Sequence, residues 1–285
     1  MKRIFLPILL FWGITTLSAQ TVESRLQSTI DSIYAAHPSS VGIMVHVEST
    51  ESGLSWSGAS GYAKKDKRSA LAADQPVLIA SSIKTYVAAS VLRLVEEELL
   101  SLELPIEDLV SEKTRALFTT DGYDFSAIRV KHLLSHTSGI EDYANQAYID
   151  YKDKYPNYRW TRDEQLALAV KVGAPLAGPG EVFSYADANY LLLTEIIEGR
   201  TKLPFYEAMR KLLKYDELGL NKTWFPTLEK KPRRTKKMAH QYWGAYGWDA
   251  QNMDVSWDLY GGGGIACPTK DLAQFVYHYF NGNIV

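Results

Sequence analysis

From Ser81 to Leu100 the chain reads as one long helix, apolar along one side, with Arg93 and the Glu96-Glu97-Glu98 run turned outward. Between Ile79 and Leu92 a single charge interrupts the apolar residues, Lys84. This stretch constrains the fold most. A helix so apolar must be buried against other elements, and its lysine must be buried with it. Ser81 stands three residues before Lys84, so the two side chains share a face one turn apart. A serine hydroxyl is a weak nucleophile until a neighbouring base takes its proton. A lysine serves as that base only where its charged form is disfavoured, by burial or by the positive end of a helix. The same helix end offers amides to an oxyanion. The spacing alone carries little, because a chain of this Ser and Lys content produces such a pair by chance. Without its setting, Ser81 is a helix cap and Lys84 a solvated first-turn residue. The apolar run around Lys84 argues for chemistry.

The remaining elements follow from pattern. Val22, Leu26, Ile30 and Ile33 form a helical stripe. Residues 41–48 alternate as a strand, Ser49 to Gly53 is turn chemistry, and Leu54 to Ala63 returns, so a hairpin is predicted. Further helices are predicted at 129–136, 162–172, 188–198, 204–215 and 270–280. Thr161 with Glu164 is a capping box, and Gly199 is placed as the stop of the 188–198 helix. Pro175, Gly178, Pro179 and Gly180 mark 173–184 as a loop. A hairpin alone is marginal in water, so more strands are expected than the sequence supplies. Asn281-Gly282-Asn283 and Ile284-Val285 read as a turn and the start of another strand.

Composition narrows the classes. The chain has 285 residues, is 46% hydrophobic and 22% charged, and carries a net charge of −2. That is a globular composition with no strong field for nucleic acid or an anionic membrane. The lone Cys267 excludes an intrachain disulfide and a cysteine metal cluster. The start, Met1-Lys2-Arg3, then apolar Ile4 to Leu17, then Ser18-Ala19-Gln20, reads as a secretory signal over 1–19 and predicts an exported, periplasmic or secreted protein. Export makes ATP- and nicotinamide-dependent chemistry a poor expectation. No cysteine follows for a lipid anchor, and no later apolar run is long enough to span a bilayer.

Other candidates weigh less. His132 and His136 have zinc spacing, but a third ligand and an intervening glutamate are absent from the pattern, so they are read as helix-end residues. Gly261 to Gly264 lacks a P-loop lysine and reads as a close backbone approach. The cluster of Lys230, Lys231, Arg233, Arg234, Lys236 and Lys237 reads as a solvated loop, and Tyr242, Trp243, Tyr246, Trp248 and Trp257 as core or groove lining.

Several stretches together resemble the serine β-lactamase-related hydrolases, which include class C β-lactamases, D-alanyl-D-alanine carboxypeptidases and esterases. They are Ala80 to Thr85, Leu104 to Asp108, Ile128 to Ile140, Pro179 to Tyr190, Gly262 to Ile265 and Asp271-Leu272, in the family's order. The resemblance implies an α/β (α+β) fold: an antiparallel sheet packed with helices plus a large helical region, β-lactamase/transpeptidase-like. The chain then divides into an N-terminal helix and hairpin at 20–64, a helical region carrying the site at 65–258, and a return to the sheet at 259–285. It implies Ser81 as the acylated nucleophile, Lys84 as its proton partner and Tyr185 as base or proton relay. Asp187 falls at the substrate-binding position that is usually an amide, and there it raises the lysine's pKa. No metal or organic cofactor is implied. The substrate is a small molecule or peptide with an amide or ester bond, D-Ala-D-Ala cell-wall peptides, small esters and β-lactams included. Carboxypeptidase or esterase is favoured over β-lactamase because of Asp187. The family's third element, Lys-Thr-Gly or His-x-Gly, is not found after Gly264, so the sheet is expected to be incomplete at its C-terminal side. That absence keeps a non-catalytic peptidoglycan or β-lactam sensor, or an inactive fragment, as the alternative.

Overall fold

A computed structural model describes residues 21–285. The signal segment expected at 1–19 lies outside the described residues.

The predicted hairpin forms. Strand β1 (Gly42–Ser49) pairs antiparallel with β2 (Leu54–Gly61), in register from Gly42 opposite Gly61 to Ser49 opposite Leu54. Helix α1 (Val22–Ala36) lies against β2, and α9 (Thr269–Phe280) against β1. This covers the hairpin with apolar helix faces, which two strands need in water. The further strands are two-residue pieces. β3 (Val77–Leu78) pairs with β6 (Ala266–Cys267), and β4 (Tyr242–Trp243) with β5 (Trp248–Asp249).

The helical region is built on α2 (Ile83–Glu96) and α7 (Asp187–Thr201). Ile83, Tyr86, Val87, Val91 and Leu94 of α2 are buried, as are Leu191, Leu192, Leu193, Ile196 and Ile197 of α7. Apolar residues on every side of α7 place it inside the bundle. Tyr86 stacks on Phe275 with ring centroids 3.5 Å apart, joining α2 to α9 and hence the helical region to the sheet.

Helices α4 (Val130–Leu134), α6 (Arg162–Val172) and α8 (Phe205–Leu212) fall where predicted. The capping box is present: the Thr161 side chain accepts from the Glu164 amide, and Glu164 accepts from the Thr161 amide at 2.8 Å. Helices α3 (Glu112–Thr119) and α5 (Gln146–Lys154) were not expected. The stop assigned to Gly199 is corrected. The helix runs to Thr201, and Lys202 takes the left-handed position at φ 58°. Gly199 lies inside the helix, where a Cβ would make only ordinary contact with the Leu109 carbonyl oxygen, 3.4 Å away. No helix of the described residues is long and apolar enough to cross a membrane.

Candidate active site

Three backbone devices bring the site together. The first is the β3–β6 pairing, extended by the Ile79 amide donating to the Ile265 carbonyl at 3.1 Å. It lays the glycine run 261–264 beside the start of α2. The second is a 3₁₀ turn, Ala80–Ser82, that feeds α2 and exposes Ser81. Ala80 sits at φ 45°, a left-handed conformation that costs about 1–2 kcal/mol for a non-glycine residue and is held by its surroundings. The third is the docking of the predicted 173–184 loop onto residues 136–139. Leu176 donates to Gly139, Gly180 to Thr137, and Ser184 to His136, at 3.0, 2.7 and 2.9 Å. That docking delivers Tyr185 to Ser81.

The structure brings Ser81, Lys84, Tyr185 and Asp187 into one cluster. The Tyr185 hydroxyl donates to Ser81 Oγ at 2.8 Å, and Lys84 Nζ donates to the same oxygen at 3.3 Å. Lys84 also donates to the Gly262 carbonyl at 3.0 Å. Its third contact is Asp187 Oδ1 at 2.6 Å, off the alignment of a linear hydrogen bond and therefore an ion pair. An ammonium has three protons, and here it has three oxygens. Lys84 is 7% exposed beneath an exposed Ser81, so the charge lies under the hydroxyl and away from water.

One sequence expectation is corrected here. Burial was expected to turn Lys84 into a neutral base. Burial is the largest single influence and pushes its pKa down, but Asp187 and Tyr185 together push it up by more, and the ammonium is held above its ordinary value. The resting site holds a charged lysine. The carboxylate of Asp187 faces Lys84, the effect expected of an acid at that position.

The glycine run works by close approach. A Cβ on Gly263 would fall 1.9 Å from Asp258 Oδ2, and one on Gly262 would fall 2.9 Å from Asp258 Oδ1. Only bare backbone lets the Gly262 carbonyl reach Lys84 past that carboxyl.

Sequence reasoning read His136 as a helix-end residue, and the structure gives it more. Its ring stacks on Tyr185, centroids 4.3 Å apart, and lies tilted against Tyr190 at 5.1 Å. Nδ1 accepts from the Ala186 amide at 3.2 Å and meets the Asn189 amide nitrogen at 3.3 Å. Two donors aimed at Nδ1 leave the ring proton on Nε2. Burial, and then the Lys84 charge, hold the imidazole below its ordinary pKa and so neutral. His132 is separate: its Nδ1 accepts from the Arg129 amide and caps α4.

Two more acids belong to the cluster. Asp142 Oδ1 accepts from the Asp187 amide at 3.2 Å, at the start of α7. Burial, then repulsion from Asp187, push Asp142 up to about 6, and the same causes push Asp258 up to about 7. Neither residue stands in a motif. Their part is visible only once the loops are folded together.

Beside this cluster lies a cavity of about 250 Å³, walled by Leu78, Met253, Val255 and the tryptophans 243, 248 and 257, with Ala80 and Asp258 at its edge. The aromatic group read from sequence as core or groove lining lines this cavity. The basic cluster at 230–237 is partly paired: Lys236 contacts Asp74 at 2.6 Å.

Comparison with known proteins gives the family and the fold. Residues 39–285 match the family described as Beta-lactamase. Penicillin-binding protein 4* of Bacillus subtilis (strain 168) is 22% identical over 185 residues, which is 64% of this chain but 38% of that protein. The chain therefore matches well under half the length of that relative. The D-amino acid amidase of Ochrobactrum anthropi SV3, solved with L-phenylalanine amide, superposes with a TM-score of 0.77 at 24% identity, covering 92% of this chain and 72% of that one. The octameric penicillin-binding protein homologue from Pyrococcus abyssi superposes at 0.69 and 24% identity, covering 93% and 58%. These likenesses carry the fold, and the family match carries the relationship: the chain belongs to the Beta-lactamase family, the serine β-lactamase-related hydrolases.

Proposed function

We propose that this protein is a serine hydrolase that cleaves amide or ester bonds through an acyl-enzyme on Ser81. The observation that supports the reading is the convergence of Tyr185 and Lys84 on one exposed serine oxygen, at 2.8 and 3.3 Å. In this reading Tyr185 is a proton relay: its oxygen takes the Ser81 proton while its own proton moves to the departing amine or alcohol, so the tyrosine is neutral before and after the step. Lys84 cannot take it, because Asp187 keeps the lysine charged. The ammonium instead stabilises negative charge as it develops on Ser81 Oγ during attack on the carbonyl. Water enters by the same route in reverse and frees the acid. Asp187, engaged with Lys84, offers a substrate amide an acceptor and no donor, which favours carboxypeptidase-like or esterase-like substrates over β-lactams. The signal-like pattern at 1–19 supports a site of action outside the cytoplasm.

The test is covalent labelling with a fluorescent penicillin and with an activated ester, read by intact mass and peptide mapping. One acyl adduct is expected on Ser81, none on Ser81→Ala, and much slower labelling on Tyr185→Phe. Folded protein that hydrolyses neither amide nor ester and takes no adduct refutes the proposal and leaves a non-catalytic binder.

A further inference from the structure

Helix α5 is polar on average, yet it turns Lys152 inward, where the residue is 2% exposed. Burying an ammonium costs several kcal/mol unless a partner offsets it. The partners here are aromatic faces. Lys152 Nζ lies 3.0 Å from the ring centroid of Trp257 and 3.8 Å from that of Trp248, with Trp243 at 5.7 Å. Among the described residues no carboxylate oxygen lies within 4.0 Å of it and no side-chain hydrogen bond serves it. Aromatic faces attract the charge but accept its N–H groups poorly. Burial pushes this amine down to about 7, against the pull of Asp258. Lys152 therefore lines the 250 Å³ cavity with donors that the protein leaves unsatisfied.

The cavity's place gives those donors a use. Ala80 is at its edge, and Ala80 immediately precedes Ser81. The cavity therefore adjoins the turn that carries Ser81, and in the hydrolase reading a group seated there belongs to the compound whose carbonyl Ser81 attacks. The volume suits one side-chain-sized group, and the Leu78, Met253 and Val255 wall suits an apolar stem. Resting on the hydrolase reading above, we propose that this cavity is the acyl-side specificity pocket and that Lys152 makes it select acyl groups whose apolar stem ends in a carboxylate. Asp258 on the same wall does not forbid an anion. Burial and Asp187 push its carboxyl up to about 7, so it retains a share of its proton near neutrality.

The experiment compares two p-nitrophenyl esters of equal shape, the glutarate monoester, which ends in a carboxylate, and the 5-methylhexanoate, which ends in an isopropyl group. The wild-type protein is expected to favour the glutarate ester by about tenfold in kcat/KM. Lys152→Met is expected to bring that ratio to about one or below, whatever it does to the absolute rates. Asp258→Asn is expected to raise the ratio. A wild-type ratio near one, or a Lys152→Met variant that slows both esters by the same factor, overturns the assignment. Should neither ester turn over, titration of free glutarate against tryptophan fluorescence decides. A quench with glutarate, absent with 5-methylhexanoate and lost in Lys152→Met, keeps the pocket while the hydrolase reading falls. No quench with either acid removes the pocket.

Discussion

Replacing Asp187 by asparagine tests the electrostatic centre of the site. The Lys84 and Asp187 side chains are 8% and 13% exposed, with nitrogen and oxygen 2.6 Å apart. Removing one partner of a buried pair costs about 3–5 kcal/mol when the other charge is stranded. Three features reduce that cost here. Asparagine keeps an oxygen for Lys84, the Ser81 and Gly262 oxygens remain, and Asp142 and Asp258 are relieved of the charge that pushes both up. We therefore expect a loss of about 2 kcal/mol, or about 4–8 °C in Tm at pH 7. The pH dependence distinguishes this from a simple packing defect. In the wild-type protein the folded-state pKa of Lys84 lies above its unfolded value, so the pair's contribution is fully present below the ordinary lysine pKa and fades only as pH rises through the folded value. In Asp187→Asn burial acts without its counterweight, the lysine pKa falls below the ordinary value, and the cost shrinks as pH rises and the amine deprotonates. Melting of both proteins from pH 6 to pH 10 should show the widest gap at the acid end and a narrowing gap toward pH 10. A gap of constant width would mean that Asp187 acts only through its place in the first turn of α7, and the account of a charge-locked lysine would be wrong.

Two further outcomes follow from the same geometry. His136→Asn preserves an acceptor for the Ala186 amide, whereas His136→Leu fills space without one; we expect both to fold, acylation of Ser81 to slow about tenfold or more in the leucine variant, and the asparagine variant to recover part of that rate. Equal rates in the two would show that only the volume of residue 136 matters. Asp142 binds its proton more tightly folded than unfolded, because its carboxyl is pushed up to about 6, so it lowers stability as pH rises from about 4 to about 6. In Asp142→Asn that part of the slope should be missing from denaturation curves measured at pH 4, 5, 6 and 7, and an unchanged slope would show the acid to be unperturbed.

The side chains that converge at the candidate site could be picked out in the sequence because they lie on elements with a strong period or in a short ordered set. Lys84 stands in the first turn of the largely apolar α2, where one charge is conspicuous, and Ser81 lies in the turn that leads into it. Tyr185 and Asp187 come two residues apart at the entry to α7. The hairpin and the Thr161–Glu164 cap have local causes and formed as expected. What could not be read depends on distant chain segments. β3 and β6 are two residues each, too short for an alternating pattern, and exist because Val77 and Leu78 meet Cys267 and Ala266 across the fold. Helix α3 begins at a Ser111 cap but is short and mostly polar, and α5 carries its buried Tyr148 and Lys152 in a mostly polar segment. Asp142 and Asp258 are isolated acids in sequence and neighbours only in space. Gly199 shows the opposite error: a local stop signal was overridden by the packing of α7, whose Ile196 and Ile197 are buried just before it, and the helix runs on to Thr201.

The cleft contains two buried lysines, and their contrast explains why a substrate anion should reach one and not the other. Burial does not separate them, since Lys84 is 7% exposed and Lys152 2%. Partners do. Lys84 has a carboxylate in contact and an oxygen for each proton, so its charge is neutralised within the protein and its donors are used. Lys152 has tryptophan faces and a more distant Asp258, so its charge is weakly supported and falls toward neutral pH. A carboxylate arriving at Lys84 would have to displace Asp187 from a 2.6 Å contact and would meet that acid's repulsion. Arriving at Lys152 it has no protein carboxylate to displace, supplies the acceptor that the protein does not and restores the proton that burial discourages. Binding there raises the lysine's pKa, so uptake of an anionic acyl group near pH 8 should draw a proton from solution, and a neutral acyl group of equal size should not. Calorimetric titration with glutarate in two buffers of different ionisation enthalpy measures that proton directly. Binding without proton uptake at pH 8 would show that Lys152 was already charged and that its aromatic partners support the ammonium unaided.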